Sequence, residues 1–153
     1  MPIERFPFEG WEDEPTGEYP ALATARVLVA EDDPELRELV ASRLRGEGCE
    51  VITVGTGGEA LDLIAVNASL PRPSTGLELA ILDVRMPGMS GLEIVYVLRT
   101  WDYSTPILLI TAYPDVELLD ECRRLRVPVL QKPFPLHRIG AAARAAIRGT
   151  HVS

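Results

Sequence analysis

The chain of 153 residues has two cysteines, a single lysine and no apolar run long enough to cross a membrane. Cys49 and Cys122 are too few for a disulfide framework and lack the spacing of a metal site, so a reducing compartment is the simpler expectation. The longest stretch without a charged residue, at positions 103–114, falls well short of the roughly 18 apolar residues that a membrane span requires. Residues 1–24 contain no apolar run of the kind found in signal peptides. We therefore expect a cytoplasmic protein with no membrane segment.

Cationic residues are outnumbered, since 15 lysines and arginines stand against 23 aspartates and glutamates, for a net charge of -8. Nucleic acids are bound by clustered cations, so this balance argues against a nucleic-acid partner. Six of the acids lie in residues 1–24, where Arg5 is the sole cation. That segment has little apolar surface to bury, and we expect a flexible acidic arm. The arm carries four of the nine aromatic residues, namely Phe6, Phe8, Trp11 and Tyr19.

After the arm, short apolar segments alternate with longer segments of helical period, which is the pattern of strands joined by crossover helices in a parallel sheet. The apolar segments are nearly continuous, and this indicates strands that are covered by helices on both faces. We predict an α/β domain over residues 25–148 with a doubly wound five-stranded parallel sheet, followed by a short tail over residues 149–153. The predicted strands are residues 27–30, 51–54, 79–82, 107–110 and 127–130.

Local signals refine two of these elements. Asp33 followed by Pro34 predicts the N-cap and the first position of the first helix. Pro128 lies inside the fifth predicted strand, where it removes a ladder donor, so that strand is expected at an edge of the sheet. The first helix should bury one face that consists of four apolar residues at helical spacing, Leu36, Leu39, Val40 and Leu44.

Polar residues follow four of the predicted strands. In a doubly wound sheet the binding site lies beyond the carboxyl ends of the strands. The residues there are Glu31 and Asp32 after strand one, Asp83 after strand three, Thr111 after strand four and Lys132 after strand five. Carboxylates about 4 Å apart repel each other by roughly 4 kcal/mol at an effective dielectric constant near 20, so a cation is required. Mg²⁺ prefers carboxylate oxygens as ligands. Together, these five residues predict a pocket that binds a phosphoryl group attached to a carboxylate.

Lys132 stands out because the other fourteen cationic residues are all arginines. A site that keeps lysine favours a compact, strongly hydrated point charge over a planar guanidinium. We therefore interpret Lys132 as a contact to phosphoryl oxygens. Asp83 is expected to be the carboxylate that faces both Lys132 and the acidic pair, Glu31 and Asp32.

Four motifs resemble the receiver domain of two-component response regulators. They are VLVAEDD at residues 27–33, ILDVRMPGMSG at 81–91, LITA at 109–112 and QKPF at 131–134, and each ends a predicted strand. The resemblance implies a flavodoxin-like strand order of 2-1-3-4-5. It also implies that Asp83 is the phosphoryl acceptor. The implied ligands of Mg²⁺ are Glu31, Asp32, Asp83 and the backbone carbonyl of Arg85.

The resemblance assigns further roles around this site. Thr111, Ala112 and Lys132 would contact the phosphoryl oxygens, and the peptide bond between Lys132 and Pro133 would be cis. Receivers usually carry Tyr or Phe three residues before the lysine, and Val129 occupies that position here. The implied protein is a stand-alone phosphoacceptor that promotes its own phosphorylation and dephosphorylation, rather than an enzyme with an external substrate.

Partners and modulators follow from the same resemblance. Asp83 would take its phosphoryl group from a sensor histidine kinase or a histidine phosphotransfer protein. Output would pass to a protein target over the face formed by helix 4, strand 5 and helix 5. Arg85 and Tyr113 lie two residues beyond Asp83 and Thr111, and we expect these bulky side chains to slow hydrolysis by shielding the phosphoryl group from water.

Three other interpretations remain open at the level of sequence. Residues 55–60, GTGGEA, fit the G-x-G-x-x-[G/A] pattern between a strand and a helix, so a nucleotide-binding α/β protein is one alternative. That motif follows strand two rather than strand one and leaves the acids and Lys132 without a role. A phosphatase with Asp83 as nucleophile would need a second aspartate where Arg85 stands. The third alternative is a degenerate receiver that serves as a constitutive binding scaffold.

Overall fold

The computed structural model describes residues 22, 24–68 and 76–149, in which five strands alternate with five helices. The elements are β1 Arg26–Ala30, α1 Pro34–Gly46, β2 Glu50–Val54, α2 Gly57–Ala68, β3 Leu79–Asp83, α3 Gly91–Thr100, β4 Ile107–Thr111, α4 Val116–Leu125, β5 Val129–Gln131 and α5 His137–Gly149. The strands pair in parallel in the order β2-β1-β3-β4-β5. The predicted fold class and strand order are confirmed.

The two faces of the sheet bury separate clusters of apolar side chains. Because side chains alternate along a strand, Val27 and Val29 of β1 pack with α1 and α5 on one face. Leu28 and Ala30 point to the opposite face, where α2, α3 and α4 lie. Both faces are therefore covered, as the continuous apolar strands predict.

The N-terminus of α1 forms as its sequence predicts. Asp33 is the N-cap, its side chain accepts a hydrogen bond from the Glu35 N–H, and Pro34 is the first helical residue. The predicted buried face of α1 is wrong at one position, because Leu39 is 46% exposed whereas Val40 and Leu44 are fully buried. Leu39 lies on the flank of the helix, which leaves an apolar side chain at the surface.

The fifth strand begins later than predicted. The Val127 N–H turns back to the Cys122 carbonyl oxygen at 2.9 Å, which closes the end of α4, so β5 starts after Pro128. Pro128 has no N–H to donate, but its carbonyl oxygen accepts from the Leu109 N–H at 2.9 Å. The strand lies at the edge of the sheet, as the position of this proline predicts.

The described chain is already anchored before β1. Leu22 is 3% exposed, and its carbonyl oxygen accepts from the Ala25 N–H and the Cys49 thiol. Cys49 and Cys122 are free thiols, and burial raises the pKa of each to about 11. Apart from Leu22 and Thr24, the predicted acidic arm lies outside the described residues. The same holds for residues 69–75 and 150–153.

Within the part of the chain that the structure describes, no helix combines the length and apolarity that crossing a membrane requires.

Candidate functional site

Three carboxylates meet at one edge of the sheet. Glu31 and Asp32 follow β1, and Asp83 ends β3, the strand that pairs in parallel with β1. An oxygen from each of the three lies within 4.8 Å of the other two. Glu31 and Asp83 are 1% and 4% exposed, whereas Asp32 is exposed to solvent. The convergence predicted from strand ends is present in the structure.

Lys132 bridges two of these carboxylates. Its Nζ lies 2.8 Å from Glu31 Oε1 and 3.2 Å from Asp83 Oδ2. Asp83 faces both Lys132 and the acidic pair, as expected, but Glu31 contacts Lys132 at the shorter distance. The Lys132 N–H donates to the Thr111 carbonyl oxygen at 2.8 Å, and the peptide bond to Pro133 is cis, as predicted.

Backbone amides hold one oxygen of each buried carboxylate. Asp83 Oδ1 accepts from the Arg85 N–H at 3.2 Å, and Glu31 Oε2 accepts from the Asp33 N–H at 3.1 Å. The other oxygen of Glu31, Oε1, is buried, and its partner among the described residues is the Lys132 ammonium at 2.8 Å. Three carboxylates that each bring an oxygen within 4.8 Å of the others form a donor set that fits a hard divalent cation.

The electrostatics of the site are dominated by burial of charge. Burial raises the pKa of Glu31 to about 7, the negative charge of Asp83 adds to this effect, and the contact with Lys132 opposes it. Burial alone would lower the pKa of Lys132, but Glu31 and Asp83 hold it above its ordinary value. One ammonium against three carboxylates leaves the site net negative, and this favours binding of a further cation.

The remaining residues predicted for the site occupy the ends of β4 and β5. Thr111 is fully buried, and within the described part of the chain its hydroxyl oxygen accepts from the Tyr113 N–H at 3.2 Å rather than contacting Lys132 or Asp83. Ala112 is exposed beside Lys132. Val129, at the position where receivers usually carry an aromatic residue, is 3% exposed and packs in the core.

Arg85 and Tyr113 contact each other beside the acids. The guanidinium carbon of Arg85 lies 5.3 Å from the centre of the Tyr113 ring, which is a cation–π distance. Both side chains line an open cleft of about 540 Å³ that also includes Asp32. The two loops that follow Asp83 and Thr111 are thereby joined across the mouth of the site.

A second cleft on the other side of Lys132 was not predicted from the sequence. It has a volume of about 370 Å³, and its lining includes Lys132, Leu36, Leu39, Pro133 and Phe134. Two features of the sequence could have indicated this cleft. They are Leu39, an apolar residue of α1 that the core does not bury, and Phe134, an aromatic residue directly after Lys132 and Pro133. The cleft places an apolar surface next to the ammonium.

The glycine-rich segment before α2 does not form a nucleotide-binding loop. The Gly55 N–H donates to the Glu59 side chain, and the Glu59 N–H donates to the Thr56 hydroxyl, so these amides are already satisfied. A Cβ on Gly57 would lie 1.9 Å from the Met89 carbonyl oxygen. Gly57 therefore serves the close approach of the loop before α3, and this local packing argues against the nucleotide-binding alternative.

Comparison with known proteins agrees with this geometry. Residues 27–144 match the family model for the response regulator receiver domain. The DNA-binding response regulator MtrA of Mycolicibacterium smegmatis is 36% identical over 124 residues, which cover 80% of this chain and 50% of the relative. The transcriptional regulatory protein YkoG of Bacillus subtilis is 33% identical over 130 residues, covering 83% of this chain and 53% of the relative. The chain thus spans about half the length of these curated relatives.

Solved structures show the same similarity. The signal receiver domain of the response regulator NarL from Mycobacterium tuberculosis has a TM-score of 0.69 at 30% identity, covering 83% of this chain and 98% of that one. The chemotaxis response regulator CheY4 of Vibrio cholerae has a TM-score of 0.67 at 31% identity, covering 81% of this chain and 99% of that one. The chain therefore belongs to the receiver domains of response regulators, which are the phosphoacceptor signalling domains of two-component systems.

Proposed function

We propose that Asp83 accepts a phosphoryl group from a phosphohistidine on a sensor histidine kinase or a histidine phosphotransfer protein. The observation that carries this proposal is the position of Asp83 at the end of β3, with Oδ2 3.2 Å from Lys132 Nζ. In the step, an Asp83 oxygen forms a bond to phosphorus while the bond from phosphorus to the donor's imidazole nitrogen breaks. The electron pair of that bond stays on the imidazole.

The choice of Asp83 over Glu31 follows from charge. Burial raises the pKa of Glu31, so this carboxyl is harder to ionise when no cation is bound, and a protonated carboxyl is a poor nucleophile. Glu31 is also the more deeply buried of the two. Glu31 and Asp32 act instead as ligands.

Mg²⁺ is the cofactor that suits this donor set. The proposed ligands are Glu31, Asp32, Asp83 and the backbone carbonyl of Arg85, and the first three bring their oxygens within 4.8 Å of one another. Bound Mg²⁺ supplies positive charge that offsets the carboxylates and the incoming phosphoryl oxygens. Lys132 adds a second positive charge, 3.2 Å from Asp83 Oδ2.

Two further residues are proposed to bind the phosphoryl group. Ala112 is exposed next to Lys132, and the Thr111 hydroxyl retains a proton to donate because its oxygen serves as the acceptor for Tyr113. Arg85 and Tyr113 contact each other in the open cleft that also includes Asp32, and this supports their proposed role in limiting access of water to the acyl phosphate.

The phosphodonor is proposed to dock on the apolar cleft beside Lys132. Leu39 of α1 and Phe134 of the loop after β5 line this cleft together with Lys132, so a partner helix that covers them brings its histidine next to the site. We place this exchange in the cytoplasm, where the free thiols of Cys49 and Cys122 are stable.

Output is proposed to pass to a protein target over the surface formed by α4, β5 and α5, here named the output face. The Lys132 N–H bonds to the Thr111 carbonyl oxygen at 2.8 Å, so a change at the site acts directly on the pairing of β4 with β5. α5 carries three arginines and no acidic residue. Arg144 is paired with Glu47 at 2.7 Å, so the arginines near the two ends of α5 are the ones that favour an acidic surface on the target.

Backbone NMR during titration with beryllofluoride and Mg²⁺ tests the proposal. Beryllofluoride mimics a phosphoryl group on a carboxylate, so we expect shift changes that begin at Asp83, Thr111 and Lys132 and extend to the output face. Asp83→Asn is the matched control and should not respond. A parent protein whose shifts do not change would instead support the constitutive binding scaffold.

A further inference from the structure

Arg37 ties the loop that carries Glu31 and Asp32 to the rest of the domain. From the second turn of α1, its Nη1 donates to the Glu31 carbonyl oxygen at 2.8 Å. The Glu31 N–H donates to the Val54 carbonyl oxygen at the end of β2, at 3.2 Å. The backbone of Glu31 is therefore held on both sides, once by a strand and once by a side chain.

The guanidinium of Arg37 fits against the loop that follows β2. A Cβ on Gly55 would lie 2.9 Å from Arg37 Nη1, and among the described residues Arg37 is the one side chain that such a Cβ would meet within 4 Å. Gly55 does not have a positive φ, so an alanine could adopt its backbone conformation. Gly55 thus leaves room for Arg37, and this gives the glycine a role that does not involve nucleotides.

Arg37 binds the backbone of Glu31 and not its carboxylate. Within the described part of the chain Arg37 donates to a backbone carbonyl, whereas one carboxylate oxygen each of Glu31 and Asp32 lies in the cluster with Asp83. An arginine beside three acids that bound one of them would compete with a metal ion. Held on the carbonyl, the guanidinium orients the loop without taking a ligand.

We propose that Arg37 is a positioning residue that sets the affinity of the site for Mg²⁺ by fixing the backbone of Glu31. This inference rests on the proposed function, because it assumes that Glu31 and Asp32 are ligands. Groups that orient metal ligands typically change metal affinity by about 10- to 100-fold when they are removed. A purely structural arginine would change stability and leave metal affinity as it is.

The test is a mutant cycle read by Mg²⁺ titration calorimetry. Arg37→Ala should weaken Mg²⁺ binding by about tenfold or more. Gly55→Ala should weaken it in the same direction, because the added methyl group displaces the guanidinium. In the double variant the Gly55→Ala change should have no further effect, since no guanidinium is left to displace.

Labelling of Asp83 by acetyl phosphate gives a second readout. In Arg37→Ala the half-saturating Mg²⁺ concentration should rise by the same factor as the dissociation constant. The labelling rate at saturating Mg²⁺ should stay close to that of the parent. A lower rate at saturating Mg²⁺ with unchanged affinity would overturn a role that is confined to metal binding.

Arg45 provides a matched control on the same helix. Its Nη2 donates to the Val51 carbonyl oxygen at 3.3 Å, so it also bridges α1 to β2, but at a point away from the acids. Arg45→Ala should lower stability in urea without changing Mg²⁺ affinity. If Arg37→Ala keeps the parent's Mg²⁺ affinity, the inference is wrong while the proposed function stands. If the parent itself binds no Mg²⁺, both are wrong.

Discussion

Glu31→Gln removes the most deeply buried carboxylate of the site while keeping its shape. The pKa of Glu31 rises from its ordinary value of 4.5 to about 7, chiefly because burial disfavours the charged form. Between those pH values the folded protein holds a proton that the unfolded chain has released, so the free energy of unfolding falls as pH rises. At 1.36 kcal/mol per pH unit, this gap corresponds to about 3 kcal/mol, lost in full above pH 7.

Glutamine carries no charge at any of these pH values, so the free energy of unfolding of the variant should not fall as pH rises from 4.5 to 7. Without metal, we expect Glu31→Gln to be more stable than the parent by up to about 3 kcal/mol at pH 8, a figure that already includes the opposing contact with Lys132. At pH 4.5 the difference should nearly vanish. At pH 8, saturating Mg²⁺ should reduce or reverse the stability difference between the variant and the parent. Mg²⁺ binding stabilises the folded parent, whereas the variant lacks one ligand.

The assay is urea unfolding followed by far-ultraviolet circular dichroism at pH 4.5 and pH 8, with and without Mg²⁺. Glu38→Gln is the matched control, since Glu38 is an exposed acid on α1 whose carboxylate lies 3.2 Å from Arg45. Its effect should stay below about 1 kcal/mol at both pH values. A Glu31→Gln protein that is less stable than the parent at pH 8 without metal would refute the electrostatic reasoning.

Three further predictions concern phosphoryl binding, lifetime and the arm. Lys132→Arg keeps the charge but replaces a point ammonium by a planar guanidinium, so beryllofluoride should no longer shift the output face in NMR spectra; a normal response would count against a phosphoryl contact. Arg85→Ala combined with Tyr113→Ala should shorten the acyl phosphate lifetime several-fold in a phosphate-release assay, and an equal or longer lifetime would contradict the shielding role. Deleting residues 1–20, which spares the buried Leu22, should preserve labelling of Asp83 but shift resonances of the output face, because the acidic arm complements its arginines; unchanged shifts would exclude docking of the arm.

The fold was predictable because local and global signals agree along this chain. Nearly continuous apolar strands need helices on both faces, and the sequence supplies a helix after each of them. The N-cap at Asp33 was predictable from its side chain and the proline that follows it. The start of β5 was not predictable, because the Val127 N–H could donate either to a neighbouring strand or within the turn that ends α4. In the structure it donates within the turn, to the Cys122 carbonyl oxygen.

The membership of the site was predictable from strand ends, but its distances were not. Because β1 and β3 pair in parallel, their backbones bring Glu31 and Asp83 to the same edge of the sheet in any side-chain conformation. Which carboxylate approaches Lys132 most closely depends on side-chain length, and the extra methylene of glutamate lets Glu31 reach within 2.8 Å. Arg37 on α1 lies close to Gly55 in the loop after β2, and because the two residues belong to different elements no local pattern could reveal this approach.

The most direct test of the central claim is intact mass spectrometry after incubation with acetyl phosphate and Mg²⁺. The parent should gain one phosphoryl group, and Asp83→Asn should gain none. Asp33→Asn should label like the parent, because Asp33 caps α1 and lies outside the carboxylate cluster. An Asp83→Asn protein that is labelled as fully as the parent would contradict the assignment of Asp83 as the phosphoacceptor.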